Sequence, residues 1–169
     1  MALKGTLINK KGKIKDKEAV SLFKKLLEGL SYLSSKGFVH RDLKPVNIMI
    51  RESVCKKTNQ TIIHPVIIDF GFSERVNCQW KPQMFYNVGS PSYMAPESYN
   101  FTKYSEKSDL WSLGVVLYEI LSGESFDFNM KVDDFFNYTS EAIEKRLTDK
   151  KALFSVRTMK ILKSILVAD

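Results

Sequence analysis

Between Ser108 and Leu121 the chain is apolar almost all round, with Leu110, Trp111, Leu113, Val115, Val116, Leu117, Tyr118, Ile120 and Leu121 crowding one short segment. A helix with no wet side must be enclosed by other elements, so any fold open to this chain wraps that segment. Gly123 supplies its stop. With 169 residues, 44% of them hydrophobic, there is enough chain for one domain with a core of that kind.

The enclosing elements can be read from spacing. Ala19, Val20, Phe23, Leu26, Leu27, Leu30 and Leu33 recur at three- and four-residue steps, which predicts a helix from Asp16, as its cap, to about Ser35 with one buried stripe. Gly37 is suited to a left-handed stop there. Asn47-Ile48-Met49-Ile50 reads as a short strand, residues 51–61 as a polar turn, and Pro65-Val66-Ile67-Ile68 as the returning strand. Weaker helical patterns follow at about 131–137, 140–147 and 155–167, the last with Val156, Met159, Ile161, Leu162, Ile165 and Leu166 facing inward. The expected class is α+β: a mainly helical body with a short β-hairpin, without internal repeats.

Charge narrows the function little. The balance of 26 Lys+Arg against 19 Asp+Glu gives +7. Much of the excess lies at Lys10, Lys11, Lys13, Lys15, Lys17, Lys24 and Lys25, without interleaved aromatics. Such a run is a solvated face before it is a nucleic-acid surface, and neither nucleic acid nor membrane is an expected partner. Cys55 and Cys78 stand alone, so no zinc site or disulfide framework is indicated, and a reducing compartment (cytoplasm, or nucleus) is the expectation. No stretch approaches the 18 or so consecutive apolar residues of a membrane span, and no secretory signal is visible.

Chemistry is carried by four segments in fixed order. His40-Arg41-Asp42-Leu43-Lys44-Pro45-Val46-Asn47 sets an aspartate five positions before an asparagine. Asp69-Phe70-Gly71, Ala95-Pro96-Glu97 and Ser108-Asp109-Leu110-Trp111-Ser112-Leu113-Gly114 follow. In these residues the chain resembles the eukaryotic protein kinase family, in its serine/threonine branch. Val88 to Glu97 also resembles the corresponding segment of autophagy-initiating kinases.

The resemblance implies a helical large lobe with the chemistry on its hairpin, and transfer of the γ-phosphate of ATP to protein hydroxyls. Asp42 would accept the hydroxyl proton, and Lys44 would steady the transferring phosphoryl group. Asn47 and Asp69 would hold Mg2+ with hard oxygen ligands. Met49 would either pack beneath the adenine ring or serve only as strand packing. Ser90 would bond Asp42 and Lys44, a pairing of residue types found in serine/threonine kinases. Asp109 would tether the backbone of the catalytic loop, because a charge in so apolar a helix is costly without partners. His40 would be structural, stacked with Phe70, and His64 an exposed loop residue. Arg41 would grip a phosphate on the segment between Asp69 and Glu97, placed there by an upstream kinase, with Tyr86 at the usual acceptor position and Ser73, Ser90 and Ser92 as the other hydroxyls; Tyr86, or no residue, would be the switch.

Parts of the family pattern have no match. Residues 1–169 contain no G-x-G-x-x-G loop and no recognisable strand lysine. Lys4-Gly5-Thr6-Leu7 aligns just after the hinge between lobes, so the expectation is a partial kinase domain over 1–169 with the N-terminal lobe absent. Glu97 would then lack the arginine it usually pairs with. The spacing from Asn47 to Asp69 is long for the family, Ser34 replaces a common histidine, and Ser125 stands where proline is common. The alternative reading is a catalytically silent docking module, against which stands the intact set Asp42, Lys44, Asn47 and Asp69.

Overall fold

The computed structural model describes residues 3–7, 14–55, 57, 59, 61–76, 88–101, 104–126 and 140–168. The helix pattern at 131–137, Tyr86 and Cys78 lie outside them. Five strands and five helices follow in chain order: β1 Leu3–Thr6, α1 Asp16–Ser35, β2 Phe38–Val39, β3 Ile48–Val54, β4 Thr61–Ile67, β5 Glu74–Arg75, α2 Pro96–Phe101, α3 Glu106–Ser122, α4 Ser140–Asp149 and α5 Val156–Ile165.

Helix α3 is the axis around which the rest packs. Every residue from Trp111 to Leu121 is buried. Its ends are well defined: Ser105 and Ser108 form a reciprocal capping box, and Gly123 closes the helix at φ 77° with its N–H on the Glu119 carbonyl. Helix α1 packs along α3 through Ala19, Leu22, Phe23, Leu26 and Leu30, and α5 crosses it through Leu162 and Leu166. Tyr118 and Phe126 meet edge to face at 5.0 Å, with Phe154 and Trp111 on either side.

The expected hairpin is present but longer. β3 and β4 run antiparallel from Ile48↔Ile67 to Val54↔Thr61, so much of the polar stretch 51–61 is paired strand. A third strand, β1, pairs with β3 at Leu3↔Arg51 and Thr6↔Met49 and gives the order β1-β3-β4. Pro65 lies in β4, an edge strand, where a missing N–H is tolerated. His64 is in β4 opposite Arg51, not in a loop, and its Nε2 is 2.9 Å from Ser53 Oγ.

Two more expectations need correction. Asp16 is the first residue of α1 rather than its cap, and its carboxylate accepts the Ser155 N–H at 3.1 Å, joining the starts of α1 and α5. Val156 points outward, 77% exposed, because α5 starts there and turns Thr158 and Leu162 inward instead.

Gly114 sits where α5 crosses α3; a Cβ there would lie 2.8 Å from Ile165 Cγ2 and 3.0 Å from Leu166 Cδ2. Gly114→Val is expected to cost about 1–3 kcal/mol through overpacking, measured by urea denaturation, with amide protection lost first in α5.

Candidate active site

Local structure brings the loop between β2 and β3 to the surface with its polar atoms already engaged. Pro45–Asn47 forms one 3-10 turn, with the Asn47 N–H on the Lys44 carbonyl. The Ile68 N–H bonds the Asn47 carbonyl at 2.9 Å, so the end of β4 delivers Asp69 next to this loop. Asp69 is exposed and left-handed at φ 62°, and its Oδ1 accepts the Gly71 N–H at 3.3 Å.

Asp42, Lys44, Asn47 and Ser90 form one connected polar cluster. Lys44 Nζ donates to Ser90 Oγ at 2.7 Å and lies 2.8 Å from Asp42 Oδ2. Ser90 Oγ donates to Asp42 Oδ1 at 2.8 Å. Asn47 Nδ2 donates to the Asp42 carbonyl at 2.8 Å and to Asp42 Oδ2 at 3.1 Å. The Asp42 side chain is only 3% exposed, while that of Lys44 is 25% exposed, so the cluster is buried at the carboxylate and open at the amine. Met49 is half-buried in β3 between Thr6 and Val66, a position compatible with either of its readings.

Behind this cluster stands Asp109, buried at the start of α3. Its Oδ2 accepts the His40 N–H at 2.7 Å and its Oδ1 the Arg41 N–H at 2.9 Å. Burial pushes its carboxyl above the ordinary value, and the two backbone N–H groups oppose that shift. His40 is fully buried; Nδ1 accepts the Asp42 N–H at 3.3 Å and Nε2 faces the Ile68 carbonyl at 3.1 Å, an arrangement that fits the neutral ring protonated on Nε2. Phe70 meets the ring edge to face at 5.1 Å. His40 is therefore a strut between β4 and the loop.

Arg41 is left-handed at φ 68°. Its Nη1 lies 2.7 Å from Glu74 Oε2, its Nε donates to the Phe72 carbonyl at 2.6 Å, and its guanidinium lies over the Tyr104 ring. Gly89, at φ 109°, passes so close that a Cβ would collide with the Arg41 carbonyl oxygen. Ser90 reaches Asp42 only because residue 89 has no side chain. Tyr104 holds the same segment, donating to the Val88 carbonyl at 2.8 Å and accepting the Val88 N–H at 3.1 Å.

Three supporting residues escaped the sequence reading: Gly89, Tyr104 and Glu119. Glu119 is fully buried in α3 and accepts from Tyr93 OH at 2.7 Å, Ser125 Oγ at 3.0 Å and the Phe126 N–H at 3.2 Å. The signal for it was the same as for Asp109, an acid in an apolar helix that must find donors. It also explains Ser125, whose hydroxyl serves that carboxylate. Glu97 meets Ser108, which donates to Glu97 Oε1 at 3.0 Å and so joins α2 to the start of α3.

Among the described residues there is no group of three or more His, Cys, Asp or Glu able to hold a metal by protein ligands alone. Mg2+ does not require one, since it takes one or two protein oxygens and completes its shell with water and phosphate oxygens. Asn47 Nδ2 is committed to Asp42, which leaves its Oδ1 for a cation, and Asp69 offers a carboxylate at the surface. The donor set fits the ion.

The family model described as protein kinase domain matches residues 3–169. The chain belongs to that family. It is 33% identical over 119 residues to serine/threonine-protein kinase 33 of Bos taurus (70% of this chain, 24% of that protein). It is 38% identical over 127 residues to serine/threonine-protein kinase atg1 of Dictyostelium discoideum (74% and 18%). It is 32% identical over 174 residues to death-associated protein kinase 2 of Homo sapiens (85% and 44%). The chain spans less than half the length of each of these relatives.

Asp109→Asn would set an amide NH2 against one of the two loop N–H groups. A loss of about 1–3 kcal/mol is expected from the donor left unsatisfied, read by denaturant unfolding, with faster hydrogen exchange at the His40 and Arg41 amides.

Proposed function

We propose that this chain is the large-lobe part of a serine/threonine protein kinase, transferring the γ-phosphate of MgATP to hydroxyls of protein substrates. The observation that carries the reading is the Asp42–Ser90–Lys44 cluster, in which a buried carboxylate and an open ammonium share one serine hydroxyl. Asp42 orients the incoming hydroxyl and accepts its proton. Lys44, the partly exposed member, neutralises charge on the phosphoryl group in transit. Ser90 bridges the two, which are also in direct contact at 2.8 Å, and holds them in line until substrate arrives. Asn47 and Asp69 would hold Mg2+, whose chemistry when bound is to neutralise and orient the phosphate oxygens. The adenine would lie toward β3, with Met49 beneath it. The Gly-rich loop and strand lysine of the family have no counterpart in residues 1–169, so the isolated chain is expected to turn over little ATP. Cytoplasm is the expected site of action, with the nucleus second. Among the described residues no helix is long and apolar enough to cross a membrane.

The test is radiolabel transfer from MgATP to casein by the full-length protein carrying this chain. Asp42→Asn is expected to lower kcat by about 10²–10⁴-fold, and Asp69→Asn to abolish turnover at millimolar Mg2+. Turnover indifferent to Asp42 would overturn the role given to Asp42, and no transfer by the native chain would overturn the reading in favour of the catalytically silent docking module.

A further inference from the structure

Arg41 immediately precedes Asp42, and only 7% of its side chain meets solvent. A guanidinium cannot shed its proton, so burying one demands an anion and well-placed acceptors. In this structure the demand is met from within the chain. Glu74 supplies the carboxylate at 2.7 Å, itself only 20% exposed, and Phe72 supplies a carbonyl at 2.6 Å. The Tyr104 ring lies 5.3 Å away. The pairing of Val39 with Glu74 across β2 and β5 fixes the Glu74 backbone beside the loop, within reach of Arg41.

The position of these acceptors matters. Phe72 and Glu74 lie in the segment that leaves the Asp69-Phe70-Gly71 turn. One guanidinium therefore ties the segment following Asp69 to the residue preceding Asp42. The Arg41 backbone has little slack, being left-handed, tethered by its N–H to Asp109 and pressed at its carbonyl by Gly89. The guanidinium therefore reaches Phe72 and Glu74 from a fixed base next to Asp42.

We infer that Glu74 is a positioning residue, a built-in anion for Arg41 that keeps the Asp42 loop and the Asp69 turn in register without phosphate on the segment between Asp69 and Glu97. The inference rests on the reading of Asp42 and Asp69 given under Proposed function. Of the two alternatives open for Arg41, a phosphate at Tyr86 or no acceptor at all, it favours the second. A phosphoryl group at Tyr86 or a neighbouring serine would bring a charge of about −1.5 to −2 to a cation that is already paired, and would meet the Glu74 carboxylate on arrival. Like charges at that distance repel, so such a phosphate competes with the pair and is not needed for order.

The experiment uses the full-length protein, treated with phosphatase until mass spectrometry finds no phosphate between Asp69 and Glu97. Hydrogen exchange of the peptide spanning residues 38–44 and kcat on casein are measured before and after treatment, for the native chain, Glu74→Gln and Glu74→Asp. The native chain is expected to change less than twofold in both readouts. Glu74→Gln is expected to exchange at least tenfold faster over 38–44 and to lose at least tenfold in kcat with KM for ATP changing less than threefold, while Glu74→Asp restores most of both. The inference is overturned if phosphatase treatment alone loosens residues 38–44 in the native chain, or if Glu74→Gln leaves their exchange unchanged. Should Glu74→Gln fail to fold, the native chain with and without phosphatase decides. Absence of any Asp42-dependent turnover would defeat the kinase reading by itself, and the exchange result would still stand or fall separately.

Discussion

Two backbone N–H groups pointing at one buried carboxylate hold this structure to its purpose. Asp109 can be charged inside an apolar helix only because His40 and Arg41 donate to it. Arg41 in turn keeps its left-handed course with its N–H held by Asp109. The most enclosed element of the fold, α3, is thereby coupled to the loop that bears Asp42. Glu119, further along the same helix, repeats the arrangement for the turn Pro91–Tyr93. The core element thus carries two acids that serve as anchor points, and the candidate site is suspended between them.

This division of labour explains why so little of the candidate site depends on its own local chain. Asp42, Lys44 and Asn47 come from one short loop, but Ser90, Asp109 and the Arg41 partners Phe72 and Glu74 arrive from elsewhere. Each is delivered by an element whose position was fixed by packing. Electrostatics then selects among arrangements that packing already permits. The cluster at Asp42 is closed on the protein side and open at Lys44, which is the polarity a site needs if an anionic group is to approach from solvent.

Much of this was legible in the sequence, for identifiable reasons. The stripe of α1 and the all-round burial of α3 follow from apolar spacing, and their ends from Gly37 and Gly123. The grouping of Asp42, Lys44, Asn47 and Ser90 was what the family resemblance implied. The remainder depended on contacts that no local pattern encodes. β1 exists because it pairs with the distant β3, and the hairpin is long because its own pairing runs on to Val54 and Thr61. Val156 faces outward because the start of α5 is set by Ser155 rather than by hydrophobicity. His64 is held by Ser53 across the hairpin. Gly89 matters because of what passes beside it, and Tyr104 because of the segment and the cation it touches. Glu119 alone could have been found, since an acid within that helix called for donors as plainly as Asp109 did.

The Asp42–Ser90 hydrogen bond spans 48 positions of sequence, and the tethers to Asp109 span 69 and 68. Contacts of that reach close large loops, whose entropy must be lost before the contact contributes anything. Each helix can form from its own local hydrogen bonds, but the packing of α1 on α3 reaches as far along the chain as the tethers do. A chain refolding from denaturant therefore regains its helical signal before it closes these loops. In kinetic terms the candidate site matures together with the packing of α1 on α3, and the return of helix is no sign that Asp42, Ser90 and Asp109 have met.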